Sequence, residues 1–181
     1  EQSTEVASES LFGEEDFYKI DIRAEWYRTV HRTGEGYPHV IRLAGRVAYG
    51  DEFGDSSEIP IYERYFAGGF GSLRGFDFRG VGPQENGDPV GGEFLALASV
   101  EYSFPVFKDL LRGVVFLDSG TVGRSTGDLD LDKWRISAGF GVRLKIPFLG
   151  QRPFAVDFGF PLRHDDDDDE EIVSFSLGRS F

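Results

Sequence analysis

The residues most suggestive of chemistry gather around Arg74. They run Tyr62-Glu63-Arg64-Tyr65-Phe66-Ala67-Gly68-Gly69-Phe70-Gly71-Ser72-Leu73-Arg74-Gly75-Phe76, then Arg79-Gly80-Val81-Gly82-Pro83. A guanidinium forks onto carboxylates, glycines permit tight backbone turns, and aromatic rings pack. This composition fits a loop folded onto something. It does not fit a phosphate loop, because Gly68, Gly69, Gly71 and Gly75 lack the Gly-Lys-Ser/Thr ending and no helix follows. Seven consecutive acids, Asp165 to Glu171, could hold divalent cations, but such a run more often is a solvated loop repelling itself, and that is the reading favoured here. Asp128, Asp130 and Asp132 imitate the start of a calcium loop, yet Lys133 stands where Gly is needed and no Glu arrives at the twelfth place. His31, His39 and His164 are scattered, without metal-ligand spacing or a Gly-x-Ser-x-Gly elbow. We expect no metal, no cofactor and no enzyme.

Composition narrows the class further. The chain has 181 residues and no Cys, so disulfides, Cys-ligated zinc and thiol nucleophiles are excluded. Its 19 Lys+Arg against 32 Asp+Glu give a net charge of −13, which argues against a nucleic-acid partner. Mean hydropathy is −0.29, and no apolar run of about 18 residues appears for a helical span. Such an average can still hide a transmembrane β-barrel, in which apolar and polar residues alternate.

That alternation is the main signal. Tyr18, Ile20, Ile22, Ala24 and Trp26 interleave with Lys19, Asp21, Arg23 and Glu25. A helix would scramble this division; a strand keeps it. Further apolar faces are Ile41–Tyr49, Phe94–Phe104, Trp134–Ile146, Phe154–Phe160 and Val173–Phe181, with a weaker strand over Gly113–Val122 that carries Asp118. Aromatics near strand ends (Trp26, Tyr49, Tyr102, Trp134, Phe181) suit interfacial girdles, and the opposite faces mix both charge signs with Gly and Ser. The fold predicted is all-β: an antiparallel transmembrane β-barrel region over 1–181. A soluble β-sandwich binding module is the weaker alternative.

Loop lengths alternate as well. Segments 31–38, 105–112 and 147–153 are short, whereas 51–92, 124–133 and 163–171 are longer or acidic. Short turns in such barrels are periplasmic and long loops extracellular. Seven strands are clear, and an odd number conflicts with the even counts of bacterial barrels. Residues 1–16 are therefore an N-terminal segment or an eighth strand, and the expectation is the C-terminal half of a larger barrel. An eight-stranded interior is just filled by side chains, so either the barrel is larger, through further strands or another chain, or the loop 51–92 sits outside.

Tyr65-Phe66-Ala67-Gly68-Gly69 followed by Leu73-Arg74-Gly75-Phe76 resembles the sixth extracellular loop of BamA-like outer-membrane assembly barrels. The family form is commonly Val-Arg-Gly-Phe or Tyr, so Leu73 departs mildly from it. Collinear matches follow at Ala98-Ser99-Val100-Glu101-Tyr102, Asp118-Ser119-Gly120-Thr121-Val122, Ser137-Ala138-Gly139 and a last strand closing on Phe181. The resemblance implies a loop folded into the lumen, with Arg74, Gly75 and Phe76 at its tip and Arg74 meeting Glu101 and Asp118 on the wall. Glu101 lies on the polar face of its strand; Asp118 shares a face with Val114 and Phe116, which leaves its direction open. It also implies insertion of β-barrel proteins into the bacterial outer membrane, with membrane lipid and unfolded barrel clients as partners, and accessory assembly subunits or periplasmic domains outside this chain. Val173, Phe175, Leu177 and Phe181 would then belong to a seam strand. The alternative is a small structural outer-membrane barrel without insertase activity. A self-closed set of eight strands would favour that alternative; an open half-barrel would favour the assembly reading.

Overall fold

The computed structural model describes residues 2–7, 17–53, 59–108, 110–125, 133–145 and 153–177. Among them there is no helix, and eight strands form one antiparallel sheet. In chain order they are β1 (Gln2–Ala7), β2 (Phe17–Arg32), β3 (Pro38–Glu52), three two-residue strands in the long loop, β4 (Gly75–Phe76), β5 (Gln84–Glu85) and β6 (Asp88–Pro89), then β7 (Phe94–Phe107), β8 (Leu111–Gly123), β9 (Arg135–Lys145), β10 (Pro153–Arg163), a two-residue β11 (Glu170–Glu171) and β12 (Val173–Leu177). The sheet order is β1-β2-β3-β7-β8-β9-β10-β12, each neighbour the next strand in the chain once the loop strands are set aside. This up-and-down topology is that of a membrane barrel wall.

Residues 2–7 thus supply an eighth strand, paired with β2 from Gln2 opposite Ile22 to Ala7 opposite Phe17. Among the described residues β1 and β12 do not pair, so the eight strands form an open sheet rather than a self-closed barrel. The Asp128, Asp130 and Asp132 group, Ile146 and the terminal Phe181 lie outside the described residues, as do residues 8–16.

The two faces divide as period-2 patterning requires. Ile22, Leu43, Val47, Val100, Val115, Leu117, Phe140, Val142 and Phe175 are exposed on one face. Apolar exposure on this scale has lipid as its natural solvent, and it removes the soluble-sandwich alternative. The other face is covered by the long loop, and the hydrophobic core lies between them: Tyr65, Ala67, Leu73, Phe76 and Val81 of the loop pack with Ala48, Leu95 and Val122 of the wall. Strand β8 is therefore apolar on both faces. Val115 and Leu117 point outward, whereas Val114, Phe116, Asp118 and Val122 are buried beneath the loop. This explains why its alternation is weak in sequence and settles the direction of Asp118.

Backbone pairing holds the loop in shape. Tyr65 and Gly92 exchange two hydrogen bonds of 2.7 and 2.9 Å, and the Val81 N–H donates to Ala67 at 3.1 Å. Asn86 and Gly87, at φ 55° and 86°, turn the β5–β6 hairpin. Two consecutive positive φ values are what an Asn-Gly hairpin turn needs.

Candidate functional site

Arg74 lies where four neighbouring strands each contribute one polar residue: Glu101 from β7, Asp118 from β8, Arg143 from β9 and Asp157 from β10. Period-2 geometry aims all four at the loop side of the sheet. The Arg74 Nε donates to Asp118 Oδ2 at 2.7 Å and its Nη2 to Asp118 Oδ1 at 2.8 Å, a bidentate fork. Its Nη1 donates to Glu101 Oε2 at 2.7 Å and stands 3.5 Å from Asp157 Oδ2. The Arg74 backbone N–H also reaches Asp118 Oδ2 at 3.3 Å, and the Ser99 hydroxyl donates to Asp118 Oδ1 at 2.6 Å.

Arg143 completes the cluster from the wall. It forks onto Asp157 with bonds of 2.7 and 3.0 Å and reaches Glu101 Oε2 at 3.2 Å. Two guanidinium groups and three carboxylates therefore interlock, with Glu101 shared between the two arginines. All five residues named in the sequence stay together: Arg74 is 3% exposed, Asp118 and Phe76 1%, Glu101 6%, and Gly75 is buried beside them. Burial on its own would favour a neutral Arg74, but the hydrogen bonds and charges of Asp118 and Glu101 outweigh it and raise the guanidinium's pKa, so Arg74 stays charged. Its guanidinium also lies over the Phe116 ring, 3.5 Å from the centroid, the stacking that Arg favours over Lys.

The backbone approach is as specific as the charge. Gly75, at φ 93°, occupies the left-handed region and sits directly on Gly159 of β10; a Cβ on Gly159 would lie 2.5 Å from the Gly75 nitrogen. Only glycine at both places lets loop and wall meet this closely. Phe76 then turns into the core.

Sequence reasoning missed Arg143 and Asp157. Both lie on polar faces, but nothing in their spacing joins them to Arg74; only the strand order β7-β8-β9-β10 brings them together. It also missed one tie within the acidic run. Asp168 is not solvated: its carboxylate receives Arg135 Nε and Nη2, both at 2.8 Å, and its side chain is fully buried. Glu170 and Glu171 pair as β11 with Phe76 and Gly75. Asp165–Asp167, Asp169, Glu170 and Glu171 are exposed, as the solvated reading requires.

The Omp85 superfamily domain matches residues 1–181 from end to end. The chain belongs to the Omp85 superfamily. It is similar to the outer membrane protein assembly factor BamA of Nitratidesulfovibrio vulgaris (strain Hildenborough), 30% identical over 93% of this chain and 21% of that protein. BamA of Neisseria meningitidis serogroup B is 26% identical over 91% of this chain and 24% of its own length. Among solved structures, the crystal structure of BamA from Haemophilus ducreyi lacking POTRA domains 1–3 superposes with a TM-score of 0.75 and 29% identity, covering 91% of this chain and 35% of that one. The chain thus spans roughly a fifth to a quarter of the length of these two sequence relatives. The open all-β sheet with its outward apolar face is accordingly part of an outer-membrane β-barrel, the setting of this Omp85 family.

The remaining candidate residues of the last strand divide cleanly. Val173, Phe175 and Leu177 are exposed on the lipid side of β12, while Ser174 faces inward and is buried. On the loop side a cavity of about 1200 Å³ lies between the first strands and the loop, bordered by Asp21, Arg23, Arg42, Arg46, Phe66 and Arg79 among others. Its wall is laced by Arg46–Asp21 and Arg42–Glu25 pairs, each 2.6 Å, so the interior is polar and of mixed sign.

Proposed function

We propose that this chain is the C-terminal barrel region of an outer-membrane protein assembly factor, acting without enzymatic chemistry. In this reading Arg74, Glu101 and Asp118 lock the loop 51–92 inside the barrel, and β12 is the strand of the seam at which client strands enter. The observation that carries it is the burial of Arg74 against the wall acids Glu101 and Asp118 on the inner side of the sheet. A sheet end presents unpaired N–H and C=O groups, and an incoming strand can add to it by main-chain hydrogen bonds. The alternation of Val173, Phe175 and Leu177 gives that edge a lipid-facing side against which a client strand could keep register. Behind the seam the loop borders the polar cavity, whose lining includes Asp21 of β2 and Ser176 of β12. Partners on this reading are outer-membrane lipid, unfolded β-barrel proteins, and accessory subunits or periplasmic domains.

Replacement of the full-length protein in cells by its Arg74→Ala form tests the reading. Abundance of folded β-barrel proteins in the outer membrane should fall while the variant itself is still present. Unchanged abundance at normal variant levels would contradict a role for the lock in assembly.

A further inference from the structure

Segment 165–172, which joins β10 to β12, is tied to the Arg74 loop at Asp167, Asp169, Glu170 and Glu171. The Asp167 carbonyl accepts Gln84 Nε2 at 2.6 Å. Asp168 is gripped by Arg135 of β9. The Asp169 N–H donates to Gly80 at 3.0 Å, and its carbonyl accepts the Asp77 N–H at 2.9 Å. Glu170 and Glu171 then pair with Phe76 and Gly75, directly beside Arg74. The next carbonyl, that of Ile172, accepts the Gly159 N–H at 2.8 Å, and Val173 begins β12 opposite Phe158. Gly159 is also the residue on which Gly75 rests.

A run of seven acids has no intrinsic reason to order, because its members repel one another. Here the repulsion is met at one point by a buried guanidinium, and the backbone is used as a strand. We propose that this acidic segment is a strap coupling the Arg74 loop to the last strand, with Arg135 and Asp168 as its positioning residues. The chain leaves the loop at Glu171 and enters β12 two residues later, with no slack between them. Movement of β12 away from β10 therefore pulls Glu170–Glu171 off Gly75–Phe76, and release of the Arg74 loop removes the strand partner of the two residues that lead into β12. By linkage the effect runs equally in both directions. This deepens the proposed function, resting on it for the identification of β12 as the seam strand: loop seating would bias the seam closed, and seam opening would loosen the loop.

Amide hydrogen exchange of the full-length protein in lipid nanodiscs tests the coupling from both ends. Arg135→Gln should accelerate exchange about ten-fold at Gly75–Asp77 and at Val173–Leu177, while the β3–β7 ladder stays unchanged. Arg74→Lys should accelerate the same β12 amides, although among the described residues the ion-pair partners of Arg74 lie on β7, β8 and β10 and not on β12. Exchanging the charges by Arg135→Asp with Asp168→Arg should restore protection towards wild type. Acceleration confined to residues 165–171, or β12 exchange untouched by Arg74→Lys, would overturn the strap. So would equal acceleration in every strand, which marks general destabilisation. These readouts do not depend on client insertion: loss of the assembly role in the Arg74→Ala replacement with the coupled exchange intact would remove the proposed function and leave the strap standing.

Discussion

Gly75 of the loop and Gly159 of β10 lie backbone against backbone, close enough that a side chain on Gly159 would strike the Gly75 main chain and one on Gly75 would crowd Gly159. This contact determines how deeply Arg74 can reach. With the loop backbone flush on the wall, the guanidinium arrives within hydrogen-bond distance of Asp118 and Glu101 on strands two and three places away. Gly159→Ala should therefore lift the loop without touching any charge. We expect loss of protection at Gly75–Asp77 by hydrogen exchange, with the sheet's heat-modifiable mobility on gels retained. Unaltered loop protection would mean that the contact tolerates a methyl group.

Removing Arg74 leaves Glu101 and Asp157 to Arg143, and leaves the buried Asp118 with the Ser99 hydroxyl but without the guanidinium that forked onto it. Breaking a buried ion pair from one side costs about 3–5 kcal/mol, because the remaining charge stays desolvated. Arg74→Ala should lower barrel stability by that order, read as a reduced unfolding temperature in detergent. Arg74→Lys should recover only part, since an ammonium keeps the charge but neither the fork onto Asp118 nor the stacking on Phe116. Full recovery by Lys would show that charge alone matters.

Arg143 and Asp157 should behave as a coupled pair. Arg143→Met or Asp157→Leu singly strands a buried charge, whereas the double substitution removes both. The double mutant is expected to be more stable than either single mutant, with a coupling of about 1–3 kcal/mol in a double-mutant cycle. Additive losses would mean that the two act independently within the network.

The outward face of β8 offers a test of lipid contact. Leu117 is exposed and paired between Val100 and Ala138 in the body of the sheet. An arginine on the lipid face near the bilayer midplane costs about 2–4 kcal/mol. Leu117→Arg should destabilise the folded protein by that amount in equilibrium unfolding from lipid vesicles. A neutral effect would place this face in water or against protein.

Much of this architecture was legible in the residues. Full alternation in Tyr18–Trp26 and in 135–145 identified β2 and β9 because each has one lipid face and one polar face. Strand β8 was obscure for a physical reason: its inward Val114, Phe116 and Val122 lie under the loop's own apolar residues, so neither face is polar throughout. Gln2–Ala7 has a poor pattern, and its place in the sheet comes from pairing with β2. The Arg74–Glu101–Asp118 grouping could be anticipated only through a family resemblance. Arg143 and Asp157 needed the register of β9 on β10. The ordering of the acidic run needed Arg135, more than thirty positions away in sequence. Local pattern reports on a strand's two faces; it carries no information about which distant loop will cover one of them.

Reconstitution separates an assembly role of the Arg74 lock from a purely structural one. The full-length protein, as wild type and as Arg74→Ala, would be placed in lipid vesicles and given a urea-unfolded β-barrel client, whose insertion is followed by heat-modifiable mobility and protease protection. Wild-type vesicles should insert the client faster than empty vesicles, and Arg74→Ala should lose most of that acceleration while remaining folded. Client insertion at the empty-vesicle rate with wild-type protein, or full acceleration by folded Arg74→Ala, would contradict the assembly role.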